Sequence, residues 1–270
     1  MRASFTALAG GVAAVAMLTL AAPAGGQVPA YRAPRTADGK PNLNGIWQAL
    51  NEANWDIQGH SAAPPPVSAL GAIGATPPGL GVVEGGDLPY QPWALAKKAQ
   101  NAANRMIADP EVKCYLPGVP RATYLPQPFQ IVQSQKHVMF VYQFAGAIRT
   151  IYMDDHQDAP ADSWMGWSNG RWEGETLVVD TTGFNGQAWF DRAGNFHSDA
   201  LHVVERYTAA SPYHLNYEVL IEDPNVFTRP WKMSMPIFRR IERNAQILEF
   251  RCVEYAEDLL YGHLYKQPPK

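Results

Sequence analysis

From Phe129 onward apolar and polar positions alternate with a period of about two, the repeat that puts successive side chains on opposite faces of a strand. The alternation predicts strands over 129–134, 138–144, 147–153, 163–168, 171–182, 198–208, 214–222, 229–241 and 246–255. Links between them are short: Gln135-Lys136-His137, Ala145-Gly146, Asn169-Gly170 and Arg243-Asn244-Ala245. Asn169-Gly170 reads as a two-residue hairpin turn, because both positions of a type I′ turn need positive φ. Short links favour antiparallel neighbours, and a long meander removes its edges best by closing on itself. The fold class expected is therefore mainly β: an antiparallel meander closed into a barrel, with an N-terminal arm and one helix. An open two-sheet sandwich is the alternative.

A period near 3.6 replaces the alternation over Pro92–Asp109. Pro92 suits a first helical turn and Asp109-Pro110 a stop. Ala94, Leu95, Ala99, Ala102, Ala103 and Ile107 form the expected apolar side, and Lys97, Lys98, Asn101 and Arg105 the solvated one. Residues 62–89 are rich in Ala, Pro and Gly with almost no charge, and read as an ordered coil or flap. The prolines of 114–128 exclude regular structure there. Upstream, Arg2 and the apolar run Phe5–Ala22, followed by Ala22-Pro23-Ala24, read as a secretory signal peptide. The expected organisation is thus a signal peptide over 1–24, an arm and Pro/Gly-rich loop over 25–91, and one helix-plus-barrel domain over 92–270. The location expected is periplasmic or secreted, with no membrane span in the mature chain.

Composition narrows the classes. The net charge is −3 and no basic block occurs, so nucleic acid is not an expected partner. Cys114 and Cys252 are the only cysteines; in an oxidising compartment they read first as a disulfide, and second as two buried thiols. Closing so long a loop stabilises the fold in the chain-entropy model. The bond is expected to tie the start of the β region to its last strand. GxSxG, Walker and dinucleotide fingerprints are absent, as are the HxxxH, HExxH and HxH spacings of metal sites. The chemistry expected is cofactor-free and without a metal.

Titratable residues gather at two predicted strand ends. Counting in twos along 198–208 puts Asp199, Leu201, Val203, Glu205 and Tyr207 on one face, with His197 in phase. An i, i+2 His/Asp pair fixes an imidazole tautomer and suits general acid–base work. Asp154-Asp155-His156-Gln157-Asp158 forms a second knot. The catalytic candidates are His197, Asp199, Asp155 and His156. The substrate-binding candidates are Arg121, Trp164, Trp172, Glu205, Arg229 and Trp231, with Arg229 expected to stack on or near Trp231. Each has a plainer structural reading: a carbonyl-bonding Arg121, core tryptophans, solvated turns.

The segments DGKPNLNGIW, DPEVKCYLPGVPR, IYMDDH, GRWEGETLVVDTTGFN, HSDALHVVERY and DPNVFTRPW together resemble a large family of secreted bacterial proteins of uncharacterised activity. The resemblance covers about residues 36–256 and implies export and a single domain. Gly45-Ile46-Trp47 ahead of the meander is similar to the first strand of calycin (lipocalin-like) barrels, where the Trp closes one barrel end. The long Pro/Gly arm and the helix depart from that pattern. The function expected is a secreted enzyme acting by His/Asp acid–base chemistry (elimination, isomerisation, cyclisation or hydrolysis) on a small apolar or aromatic molecule held in the barrel. The enzyme type expected is a lyase or isomerase. The alternatives are a non-catalytic small-molecule binding or carrier protein of the envelope, or a structural module; a homo-oligomer is compatible with each.

Overall fold

A computed structural model describes residues 31–265 except 66 and 155. The signal-peptide reading and Asp155 lie outside the described residues.

The chain forms one closed barrel of nine strands in sequence order, β1 pairing with both β2 and β9. The strands are β1 (Gly45–Ala49), β2 (Phe129–Gln133), β3 (His137–Tyr142), β4 (Ile148–Tyr152), β5 (Trp167–Glu173), β6 (Thr176–Thr182), β7 (His202–Ala209), β8 (His214–Glu222) and β9 (Trp231–Arg239). The period-two pattern is obeyed closely in β8, where Leu215, Tyr217, Val219 and Ile221 are buried and their alternates face out. β1 is the strand carrying Gly45-Ile46-Trp47. Trp47 is buried, donates its indole N–H to the Leu43 carbonyl at 2.9 Å, and lies 4.1 Å beneath the Arg239 guanidinium.

Three expectations fail here for local reasons. Asn169-Gly170 is not a turn; both residues sit inside β5, and the chain reverses at Gly174-Glu175, between the paired Glu173 and Thr176. Gly170 is required for space instead, since a Cβ there would lie 2.5 Å from Met153 Sδ and 2.6 Å from Ile151. The meander is not wholly antiparallel: β4 and β5 run parallel, because 153–166 crosses over rather than turning back, and only two residue pairs join them. The segment 246–255 is irregular, so Cys252 follows β9 rather than lying in a strand; the last element is a helix, α4 (Ala256–Tyr265).

The expected helix is divided into α1 (Pro92–Ala103) and α2 (Arg105–Ala108), and ends at Asp109; against expectation 114–128 also holds one helical turn, α3 (Arg121–Tyr124), which fits between Pro120 and Pro126. Its faces are redistributed: Asn101 and Arg105 are buried, while Leu95 and Ile107 are exposed. Asn101 donates to the Gly194 carbonyl and Arg105 pairs with Glu257 of α4. The helix is thus held by polar contacts to a loop and to the C-terminal segment. The Pro/Gly-rich stretch is ordered coil; Val82–Glu84 hydrogen-bonds along β9 through Glu84 N to Lys232 O and Ser234 N to Val82 O.

Cys114 and Cys252 form a disulfide with Cα atoms 5.7 Å apart. No helix among the described residues is long and apolar enough to cross a membrane.

On the outer wall His202 bridges three strands, contacting Asp180 of β6 at 3.1 Å and Glu222 of β8 at 2.8 Å. The Asp180 bond, outweighing burial and joined by Glu222, holds the imidazole above its ordinary pKa. A raised folded pKa means this contribution is complete below the unfolded value of about 6.5 and fades as pH rises through the folded pKa. Wild type is therefore expected to lose stability relative to His202→Gln on going from pH 5.5 to pH 8.5. Urea midpoints of both proteins check this; a pH-independent difference would refute it.

Candidate functional site

The inward positions of the strands fill the lumen with Phe129, Phe140, Tyr142, Tyr207 and Tyr217, in stacked, edge and tilted contacts 4.8–6.2 Å apart. Each such pair adds roughly 0.5–1.5 kcal/mol beyond its burial. Among these rings lies one ion pair. Arg149 of β4 and Glu205 of β7 both point inward and are 2% and 0% exposed. Arg149 Nη2 donates to Glu205 Oε2 and, at 2.8 Å, to Thr181 Oγ1; its Nε donates to Ser168 Oγ at 2.8 Å. The other Glu205 oxygen accepts the hydroxyls of Tyr207 at 2.8 Å and Tyr217 at 2.7 Å. Burial disfavours the Arg149 charge, but the adjacent carboxylate more than reverses that and holds the guanidinium protonated. Burial, with Glu205 beside them, pushes both phenols well above their ordinary range. Arg149 is therefore charged, and the two tyrosines are neutral donors.

Among the described residues, two polar atoms of this cluster have no partner in hydrogen-bonding geometry: Arg149 Nη1 and the Tyr142 hydroxyl. An unsatisfied buried donor costs about 1–3 kcal/mol, so its retention calls for a reason. Burial raises the Tyr142 pKa, and the neighbouring Arg149 charge opposes it.

The parallel seam opens the wall beside this cluster. Where β4 and β5 part, a cleft of about 420 Å³ runs between Ile148–Thr150 and 163–168, lined also by Leu116 and Tyr152. Its outer walls are Trp164, which packs on Tyr115 at 5.1 Å, and Trp167, stacked on Tyr152 at 4.5 Å. Arg149 and Ser168, both inward residues, line its inner side. Trp167 Nε1 is a third buried donor without a partner.

The other predicted residues are placed elsewhere. His197 is buried, but β7 begins only at His202, so 197–201 is loop and the i, i+2 relation to Asp199 is lost; Asp199 is exposed. The His197 ring packs near Phe184 and Phe190, with centroids 5.7 and 5.4 Å away, and its Nδ1 lies 2.8 Å from the Ser198 carbonyl. Burial lowers its pKa, against the Ser198 bond and Asp223. His156 is exposed, 3.9 Å from Asp158. Arg121 is neither a clamp nor a surface residue: fully buried, it grips Asp109 at 2.8 and 3.0 Å, Glu111 at 2.6 Å and Asn54 at 3.0 Å. Arg229 is exposed and reaches only the Pro230 carbonyl, not Trp231. Trp231 is core, edge-on to Phe190 and Phe227 at 5.6 and 5.4 Å. Trp172 packs against the core. Of the candidates, Glu205 and Trp164 belong to this region.

Arg149 is the residue missed by pattern reading. The signal was present: in Ile148-Arg149-Thr150-Ile151-Tyr152 the arginine shares its face with Ile151, and a charge on an inward face needs an opposite charge inside. Among the described residues no group of three or more His, Cys, Asp or Glu is arranged to hold a metal ion. No protein-family model matches the chain, and no curated protein shows significant sequence similarity to it.

Proposed function

We propose that the protein is a small-molecule binding or carrier barrel whose ligand enters between β4 and β5 and is held at the Arg149–Glu205 cluster. The observation that carries this is the coincidence of an aromatic-walled cleft with a buried guanidinium whose Nη1 group is unpartnered among the described residues. Apolar walls with a few convergent polar groups are the usual make-up of ligand sites. The Cys114–Cys252 disulfide supports an exported, periplasmic or secreted protein. Gly45-Ile46-Trp47 as the first barrel strand supports the likeness to calycins.

Naphthol titrated into the full chain is expected to quench tryptophan fluorescence saturably, at one equivalent. Thr150→Trp, which fills the cleft from its wall, should remove the effect while leaving the thermal midpoint nearly unchanged. Absence of saturable quenching, or quenching that survives in the variant, counts against the reading.

Proton-transfer chemistry keeps one supporting observation. A carbonyl only accepts, so the Ser198 contact fixes the His197 proton on Nδ1 and leaves Nε2, which has no partner, as a free base. In a lyase or isomerase of this kind, a molecule copurified with wild type would be released chemically changed, and His197→Ala would release it intact. Identical masses from both proteins dispose of the catalytic reading.

A further inference from the structure

Resting on that binding site, we propose its ligand class: a neutral, planar aromatic or quinoid carbonyl compound, its oxygen accepting from Arg149 Nη1 with the Tyr142 hydroxyl beside it. Every unpartnered polar atom of the cluster and cleft carries a hydrogen to give. Arg149 Nη1 and Trp167 Nε1 are donors only, and the Tyr142 phenol is kept protonated by burial. The ligand must therefore bring acceptors.

Its charge follows from Glu205. The Arg149 charge is already matched by a carboxylate in direct contact, and two tyrosine hydroxyls complete that carboxylate. A carboxylate or phosphate ligand would add a second negative charge to a dry site holding one positive charge, which is costly. A ketone or quinone oxygen takes the free N–H with no charge to compensate. The body of the ligand follows from the walls: Tyr152, Trp164 and Trp167 line a space of about 420 Å³. Flat rings stack there, whereas a branched aliphatic body would leave those faces poorly covered.

Tyr142 then has a positioning role that stability alone does not explain. A phenol buried without a partner weakens the fold, and phenylalanine in its place removes that cost while keeping the ring between Phe129 and Phe140.

Three matched probes test this on the full chain by calorimetric titration: acetonaphthone, naphthoate and ethylnaphthalene. Acetonaphthone is expected to bind about ten-fold more tightly than ethylnaphthalene, the worth of one good hydrogen bond at a buried donor, and more tightly than naphthoate. Tyr142→Phe should narrow the ketone's advantage over ethylnaphthalene several-fold without lowering the thermal midpoint. Tightest binding by naphthoate, or equal binding of ketone and hydrocarbon, overturns this ligand class while leaving a binding cleft in place. An undiminished preference in Tyr142→Phe overturns the role of Tyr142. Failure of all three probes to bind removes the binding reading itself and this inference with it.

Discussion

Glu205→Ala is expected to destabilise the barrel by about 3–5 kcal/mol, the usual cost of removing one member of a buried ion pair. The cost has two sources. Arg149 would keep only the hydroxyls of Ser168 and Thr181 as acceptors, leaving its charge uncompensated in the lumen. Tyr207 and Tyr217 would together lose the oxygen that takes both their hydroxyls. Urea unfolding measures the change, and a loss under about 1 kcal/mol would mean the pair is not dry. A double variant, Arg149→Met with Glu205→Leu, separates pairing from packing. Removing both charges together is often neutral or stabilising, so the double variant should regain much of the lost stability. It should nevertheless bind acetonaphthone no more tightly than ethylnaphthalene, because no guanidinium remains at the cleft.

Loss of the disulfide is the second large effect. Cys114→Ala with Cys252→Ala, or reduction by a dithiol, should cost about 5 kcal/mol in the chain-entropy model, the loop spanning 138 residues. For a chain of this size that corresponds to a fall of roughly 10–20 °C in the thermal midpoint. The damage should be concentrated in 246–265. Beyond the disulfide, that segment is held by Phe250 against Phe144 at 5.0 Å, by Arg105–Glu257 at 3.1 Å and by Tyr255 N to the Val112 carbonyl. Amide exchange that accelerates there first, with β8 still protected, is the expected pattern. An unchanged midpoint would show that these contacts suffice alone.

These effects bear on what could be read along the chain. Strands with a buried and a solvated side, such as β7 and β8, announced themselves, because inward apolar residues alternate with outward polar ones. Asn169-Gly170 misled because turn chemistry is local, whereas the need for Gly170 comes from Met153 and Ile151. The apolar residues of 246–255 promised a strand; they cover the outside of the fold beside the disulfide. Glu205 was placed on the correct face by parity. Its partner could not be named, since β4 and β7 are separated by two other strands and meet only across the lumen. The pairing of His197 with Asp199 failed on a boundary: β7 starts five residues after His197, and parity has no meaning in a loop.

One connection in this fold constrains the order in which the chain can be completed. β1 lies between β2 and β9, and 50–128 separates it from the first of these partners. A ribosome or export channel delivering the polypeptide from its amino end presents β1 early, yet neither neighbour exists until much later. Circularisation of the wall therefore waits for Arg239 to emerge, and until then a hydrogen-bonding rim stands open on each side of the nascent sheet. Holding one edge of Gly45–Ala49 unpaired through that interval is a task for the cell's chaperones as much as for the sequence.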